Sequence, residues 1–218
     1  MKIKSFTKII LLIFTSILPF NKLRVFFFRN LFKYNIDENS FIALFVFINC
    51  EKCEIKNSKI YSFNYIKVQE INFDSAEIKN RNIFKDFKNL TLINQISIGK
   101  NNKIYGNYPI SQSSNFIIKK NCSIGSSNFF DLSNSIKIED KCEILNFCQI
   151  WTHGFNSRRE IYTKEVFLEN GVKIENCVTI ISNVKISNNC VIKVGSIVAK
   201  SIENQGIYSS NELIMKNN

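Results

Sequence analysis

Aliphatic residues recur every six positions through the second half of the chain: Ile138, Ile144, Ile150, then Leu168, Ile174, Ile180, Ile186, Ile192 and Val198. Wherever the run is uninterrupted, a small or β-branched residue stands four positions after each anchor: Cys142, Cys148, Val172, Val178, Val184, Cys190 and Ser196. Neither the two-residue alternation of an ordinary strand nor the 3.6-residue period of a helix gives this spacing. A short strand, a turn and another short strand does, with one aliphatic side chain per face directed into a central column. Stacked turns of that kind form a parallel β-solenoid, in which no rung is stable alone and the ends require caps.

The same rhythm runs upstream, offset by two residues, in Ile118, Ile124 and Phe130, with Cys122 in the small slot. The offset places a two-residue corner insertion near Ser133 to Lys137. Farther toward the amino terminus Ile36, Ile42 and Ile48 keep the spacing, whereas Ile55, Ile60, Ile66, Ile71, Ile78 and Ile83 drift, as degenerate rungs do. From Phe41 to Ile48 the even positions Ile42, Leu44, Val46 and Ile48 are expected to face inward, leaving Phe41, Phe45 and Phe47 for the amino-terminal segment to cover.

That segment is apolar and basic. Lys2, Lys4 and Lys8 precede an uncharged run from Ile9 to Phe20, and Asn21, Lys22 and Arg24 lead into Val25 to Phe28 and Leu31-Phe32. The run is shorter than the roughly 20 residues a spanning helix needs, and no small-x-small cleavage site follows it. Two compatible readings stay open: an interfacial segment with its apolar side in the headgroup boundary, and a capping helix over the end of the core. The expected organisation is residues 1–34 as this segment, 35–114 as irregular coils, 115–202 as regular coils, and 203–218 as a carboxy-terminal tail. Where a regular step from Ile150 would use six residues, Leu168 is reached only after an inserted loop, 151–167.

Composition narrows the class. Of 218 residues 45% are hydrophobic and 22% charged, which argues against disorder, and a mean hydropathy of -0.05 argues against many membrane spans. With 7 Gly and 2 Pro, turns must come from Asn and Ser. The net charge of +11 suits nucleic acid, an anionic membrane or a phosphorylated substrate. The lysines are dispersed and accompany no nucleic-acid-binding motif, so no nucleic acid partner is expected. Among the 7 cysteines, Cys50-x-x-Cys53 is half of a zinc motif without a second half, while Cys122, Cys142, Cys148 and Cys190 fill the small slot of the repeat. No metal site is expected, and the odd count favours a reducing compartment.

At this point the residues carry a resemblance. The stretch from Leu168 to Lys200 resembles the last coils of the hexapeptide-repeat acyltransferases, and Gly206 to Asn211 is similar to that family's closing segment, with Ser-Asn-Glu-Leu where Gly-Asn-Pro-Ala is usual. Phe130 to Ile136, Gln149 to Phe155 and Leu18 to Arg24 are similar to the O-acetyltransferases of bacterial surface-polysaccharide synthesis, of capsule and lipopolysaccharide. The fold implied is all-β, a left-handed parallel β-helix of hexapeptide repeats, with an amino-terminal helical segment and an inserted active-site loop. One departure is plain: the family's Gly after the aliphatic anchor stands at Gly99 and Gly125, with Glu139, Glu175, Ser187 and Lys193 elsewhere.

The only histidine, His153, sits at the base of the inserted loop, and the resemblance implies that it is the general base of acetyl transfer. Counting one coil back puts Ile150 over Phe130, Trp151 over Asp131 and His153 near Ser133. Asp131 is then placed to fix the imidazole tautomer or hold the acceptor; a turn aspartate capping backbone amides is the plain alternative. Trp151 suits stacking on a sugar ring or anchoring an oligomer interface. Arg158 and Arg159 suit a phosphate or carboxylate, or are ordinary solvated loop residues.

The resemblance further implies acetyl-CoA as co-substrate, with Asn176, Val194 and Gly195 along the pantetheine channel, Ala199 and Lys200 at the adenosine end and Lys216 reaching the ribose phosphate. It implies a homotrimer with the channel between subunits, in the cytoplasm or at the inner face of the membrane. The acceptor expected is a sugar hydroxyl of a cell-surface polysaccharide or its lipid-linked precursor. N-acetylation of a nucleotide-linked amino sugar and a non-catalytic solenoid scaffold stand as alternatives. A single histidine excludes the three-imidazole zinc site of the carbonic anhydrases that share this helix.

Overall fold

Mostly short strands, with one inward apolar side chain per face, wind this chain into a parallel β-helix in the computed structural model, which describes residues 5–106 and 114–210. Each coil has three faces. In the last coil they are Lys185–Ile186, Val191–Ile192 and Ile197–Val198; in the preceding one, Val166–Leu168, Lys173–Ile174 and Thr179–Ile180. Leu168 pairs with Ile186, Ile174 with Ile192 and Ile180 with Val198, all parallel, so equivalent anchors lie three hexapeptides apart and stack in columns. The anchors are buried, and each contributes roughly 1.5–3 kcal/mol relative to an exposed position.

The corners explain how the repeat dispenses with glycine. The third residue after an anchor is left-handed: Asn121, Ser127, Lys141, Phe147, Gly171, Cys177, Asn183, Asn189 and Gly195 have φ between 54° and 71°. Only Gly171 and Gly195 reach this region without strain; each of the others costs roughly 1–2 kcal/mol, least for Asn. The residue directly after the anchor, where Glu139 and Glu175 stand, needs no such conformation, so their side chains leave the corners intact. Gly125 answers a different need, close approach: a Cβ there would lie 2.7 Å from the Leu145 carbonyl oxygen of the next coil.

The drifting amino-terminal rungs also stack. Ile42, Ile60, Ile78 and Ile98 pair in sequence on one face, and Ile48, Ile66, Phe84 and Ile104 on another. Phe84 rather than Ile83 enters the column; Ile83 points outward. The strands Ile71–Ile78 and Asn89–Ile98 run through a corner without a break, which absorbs the irregular spacing. Leu90 pairs with Phe116 and Ile104 with Phe130, so the stretches expected as irregular and regular form one continuous stack.

Small polar groups line the corners. The Cys122, Cys142 and Cys148 thiols donate to carbonyl oxygens of the following coil at 2.9, 3.0 and 3.0 Å, and burial pushes the Cys148 thiol up to about 11. Nearer the amino terminus, Asn64, Asn82, Asn102 and Asn128 fill the equivalent slot as a buried ladder. Each Oδ1 accepts the backbone N–H of the slot in the next coil at 2.7–2.9 Å, ending on Cys148.

Two helices, α1 (Ser5–Ile17) and α2 (Asn21–Asn30), close the first coil. Leu12, Val25 and Phe28 are buried beneath them, and the buried Arg24 donates to the carbonyls of Ile42 and Leu18. The helices do not cover Phe41, Phe45 and Phe47 as expected: these rings stack on Tyr61, Phe63 and Tyr65 of the second coil, at 5.7, 4.9 and 5.1 Å. Among the described residues no helix is long and apolar enough to cross a membrane.

Candidate active site

Two breaks in the repeat coincide at one corner, between the third and first faces. In the fifth coil, Ser133 to Ser135 add a wider turn between Phe129–Leu132 and Ile136–Ile138. In the sixth, the chain leaves the prism at Thr152 and returns at Lys164, whose N–H donates to the Thr152 carbonyl at 2.9 Å. Between them His153–Phe155 and Ile161–Thr163 form an antiparallel hairpin. Gly154 lies opposite Tyr162, and a Cβ on it would meet the Tyr162 hydroxyl at 2.7 Å, so glycine lets that ring cross the hairpin.

Phe130 pairs with Ile150, which brings the two breaks together. Asp131 is fully buried, and a carboxylate taken out of water needs donors. They are Ser133 Oγ to Oδ1 at 2.9 Å, the Thr152 N–H to Oδ2 at 3.1 Å, His153 Nδ1 to Oδ2 at 2.8 Å and, more weakly, Thr152 Oγ1 to Oδ2 at 3.3 Å. Thr152 Oγ1 donates to the Asp131 carbonyl oxygen at 2.7 Å and accepts the Asn134 N–H at 2.7 Å, tying both breaks into one network. The His153 side chain is 24% exposed, so one edge of the ring reaches the surface while Nδ1 is held inside. A carboxylate on Nδ1 selects the tautomer with its proton on that nitrogen and the lone pair on Nε2. Ser133, which counting one coil back had set near His153, joins the site as a donor to Asp131. Thr152 has no counterpart in the expected site; its sequence signal is that it falls two positions after the inward Ile150, where a polar residue needs a partner.

An aromatic wall borders the imidazole. Trp151 packs on Phe129 at 4.9 Å and edge-on against His153 at 5.6 Å, and Phe155 stands 6.4 Å beyond. Trp151 Nε1 donates to Gln149 Oε1 at 3.2 Å. Arg158 and Arg159 are exposed at the hairpin turn, with Arg159 left-handed (φ 61°); the turn is held by Asn156, not by either guanidinium.

The remaining expected residues separate into two groups. Ala199 and Lys200 share a cleft of about 450 Å³ with Tyr162 and Lys164 of the hairpin and with Ser182 and Asn183, along the corner that carries His153. Ser182 is buried in its wall, and its hydroxyl has no hydrogen-bond partner among the described residues. Asn176, Val194 and Gly195 lie at the opposite corner, between the second and third faces. There Asn176 Oδ1 accepts the Asn146 N–H at 2.9 Å, and the Gly195 N–H donates to the Asn176 carbonyl at 3.0 Å. One chain therefore does not bring these two groups together. Lys216 lies outside the described residues.

No family model and no curated protein matches the chain. Among solved structures it is similar to the polySia-specific acetyltransferase NeuO, at 21% identity and a TM-score of 0.49, covering 84% of this chain and 80% of that one. It is also similar to the polysialic acid O-acetyltransferase OatWY, at 16% identity and a TM-score of 0.43, covering 84% of each chain. A third is a hexapeptide-repeat acetyltransferase, VCA0836 of Vibrio cholerae O1 biovar eltor, complexed with acetyl-CoA, at 14% identity and a TM-score of 0.38, covering 99% and 91%.

Proposed function

We propose that the chain is an acetyl-CoA-dependent O-acetyltransferase that modifies a sugar hydroxyl of a cell-surface polysaccharide or its lipid-linked precursor, with His153 as general base. The observation that carries this reading is the buried Asp131 carboxylate on His153 Nδ1, at the base of a hairpin that interrupts an otherwise regular solenoid. A scaffold has no need of a buried carboxylate aimed at its one partly exposed imidazole. In this mechanism Nε2 takes the proton of the acceptor hydroxyl as its oxygen attacks the thioester carbonyl. The imidazolium, steadied by Asp131, then returns that proton to the departing thiolate. No covalent enzyme intermediate is required.

The surroundings fit both substrates. The Phe129–Trp151–Phe155 wall offers ring faces to a sugar. The cleft lined by Lys164, Lys200 and the unsatisfied Ser182 hydroxyl suits the phosphate-bearing end of the donor. Val194 and Ile197 are exposed by 61% and 64% at the far edge of the third face. Covering them with a neighbouring subunit would unite the two separated groups, which supports a trimer with the donor between chains.

Titration with CoA should raise the melting temperature saturably, since a ligand that binds only the folded form stabilises it by mass action. With acceptor present, the chain should release CoA thiol from acetyl-CoA, and His153→Ala should stop that release while keeping the CoA-dependent shift. No saturable shift would return the scaffold reading; full turnover by His153→Ala would remove the base assignment.

A further inference from the structure

The two helices bury one side and leave the other to solvent. Leu12, Thr15, Val25 and Phe28 face the first coil, while Phe6, Ile10, Ile13, Phe14, Ile17 and Phe26 are exposed, Phe6 by 75%. Soluble monomers rarely leave so contiguous an apolar patch in water.

Charge selects what covers it. Residues 1–36 contain seven Lys and Arg and no Asp or Glu, so they hold most of the net charge of +11. A second copy of this face would set like charge against like. An anionic bilayer accepts both the apolar side chains and the basic rim, to which the exposed Lys22 and Lys33 belong. At 13 residues α1 is about 20 Å long, short of the roughly 30 Å hydrocarbon core, and so suits lying in the interface rather than spanning it.

We propose that the outward face of α1 and α2 docks this chain on an anionic lipid surface, with the β-helix standing on its first coil. His153 leaves from the sixth coil, five steps of about 4.8 Å from the first, so the docked protein holds its imidazole roughly 24 Å beyond the first coil, with the helix layer between that coil and the lipid. Docking of this face is independent of the proposed acetyl transfer and is read out by binding alone.

The test is co-sedimentation of the full chain with vesicles of phosphatidylcholine alone or mixed with phosphatidylglycerol, at low and high salt, with sedimentation velocity run without lipid. The expected result is binding to the mixed vesicles that falls about tenfold or more in high salt or without the anionic lipid. The Ile13→Glu/Phe14→Glu variant, altered at exposed positions, should lose binding by a similar factor at an unchanged melting temperature. If that variant melts early, Lys22→Glu decides instead, weakening binding to the anionic vesicles only. Absence of binding to mixed vesicles, binding indifferent to these variants, or lipid-free self-association that the double variant abolishes would each overturn the proposal, the last by assigning the face to a second copy.

Discussion

The corner between the third and first faces occurs in regular and broken forms within the same molecule. In the seventh coil it is Ile181-Ser182-Asn183, where Asn183 (φ 66°) turns the chain straight into Lys185–Ile186. Two coils earlier the same corner holds Asp131 to Ser135, and one coil earlier the hairpin that starts at His153. The ladders beyond are unaffected, since Ile138 pairs with Leu168 just as Leu168 pairs with Ile186. A solenoid stabilised by contacts between neighbouring coils accepts insertions at this corner, because no ladder between coils passes through it. The regular coils therefore supply stability, and the two adjacent breaks supply a place where polar side chains converge.

The sharpest test of that division is His153→Ala. Loss of a general base should lower acetyl transfer by about 10²- to 10⁴-fold, with a stability cost of only about 1 kcal/mol, because the buried Asp131 carboxylate loses one of its donors and keeps those from Ser133 and Thr152. In a regular corner Asn121→Gly should leave transfer intact and change stability by no more than about 1 kcal/mol, as strain relief and added chain freedom oppose each other. A loss of activity in Asn121→Gly equal to that in His153→Ala would erase the distinction between the two regions.

Stability should show the reverse ranking. Ile174 is fully buried in a regular column, so Ile174→Ala should cost about 2–5 kcal/mol in denaturant unfolding. Asp131→Asn keeps the shape but weakens acceptance from Thr152, Ser133 and His153, for about 1–3 kcal/mol together with slowed transfer. Replacing residues 155–161 by a two-residue Asn-Gly turn should change stability by less than either, because the hairpin pairs only with itself. A large drop from the shortened hairpin would show that it braces the prism.

How much of this was legible in the sequence follows the same boundary. Where the step is a strict eighteen, Leu168 to Val198 gave the columns directly, since each anchor meets its own kind. Counting back over the two-residue offset also set His153 beside Ser133, and the structure has them 3.4 Å apart. Periodicity failed where compensation is three-dimensional. Asn64, Asn82, Asn102 and Asn128 stand at unequal intervals, so their ladder emerges only once the coils are stacked. Phe84 displaced Ile83 because Ile71–Ile78 and Asn89–Ile98 carry the chain through a corner and shift its phase. The outward rings of Phe41, Phe45 and the partly buried Phe47 found partners in the next coil, a cross-strand pairing that a pattern read along one strand does not reveal.

The smallest effect distinguishes the outside of the regular coils from their columns. Glu175 accepts Lys193 Nζ at 2.7 Å and the Val194 N–H at 3.0 Å, bridging the seventh and eighth coils. The hydrogen bond from Lys193 outweighs the opposing effect of desolvation and, with a lesser contribution from the Val194 N–H, holds its carboxyl below the ordinary carboxylate range. A carboxyl whose folded pKa is depressed adds stability above its unfolded pKa, and that stability disappears as the pH falls through the folded value. The pair lies at the surface, in reach of solvent and screened by it, so its worth at neutral pH is about 0–1 kcal/mol. Unfolding of the wild type and Lys193→Ala, compared from neutral pH downward at low salt, should show a small difference that closes as the pH drops beneath the carboxylate range. A difference that persists undiminished into acid would mean that Lys193 acts through the packing of its methylene stem instead of its charge.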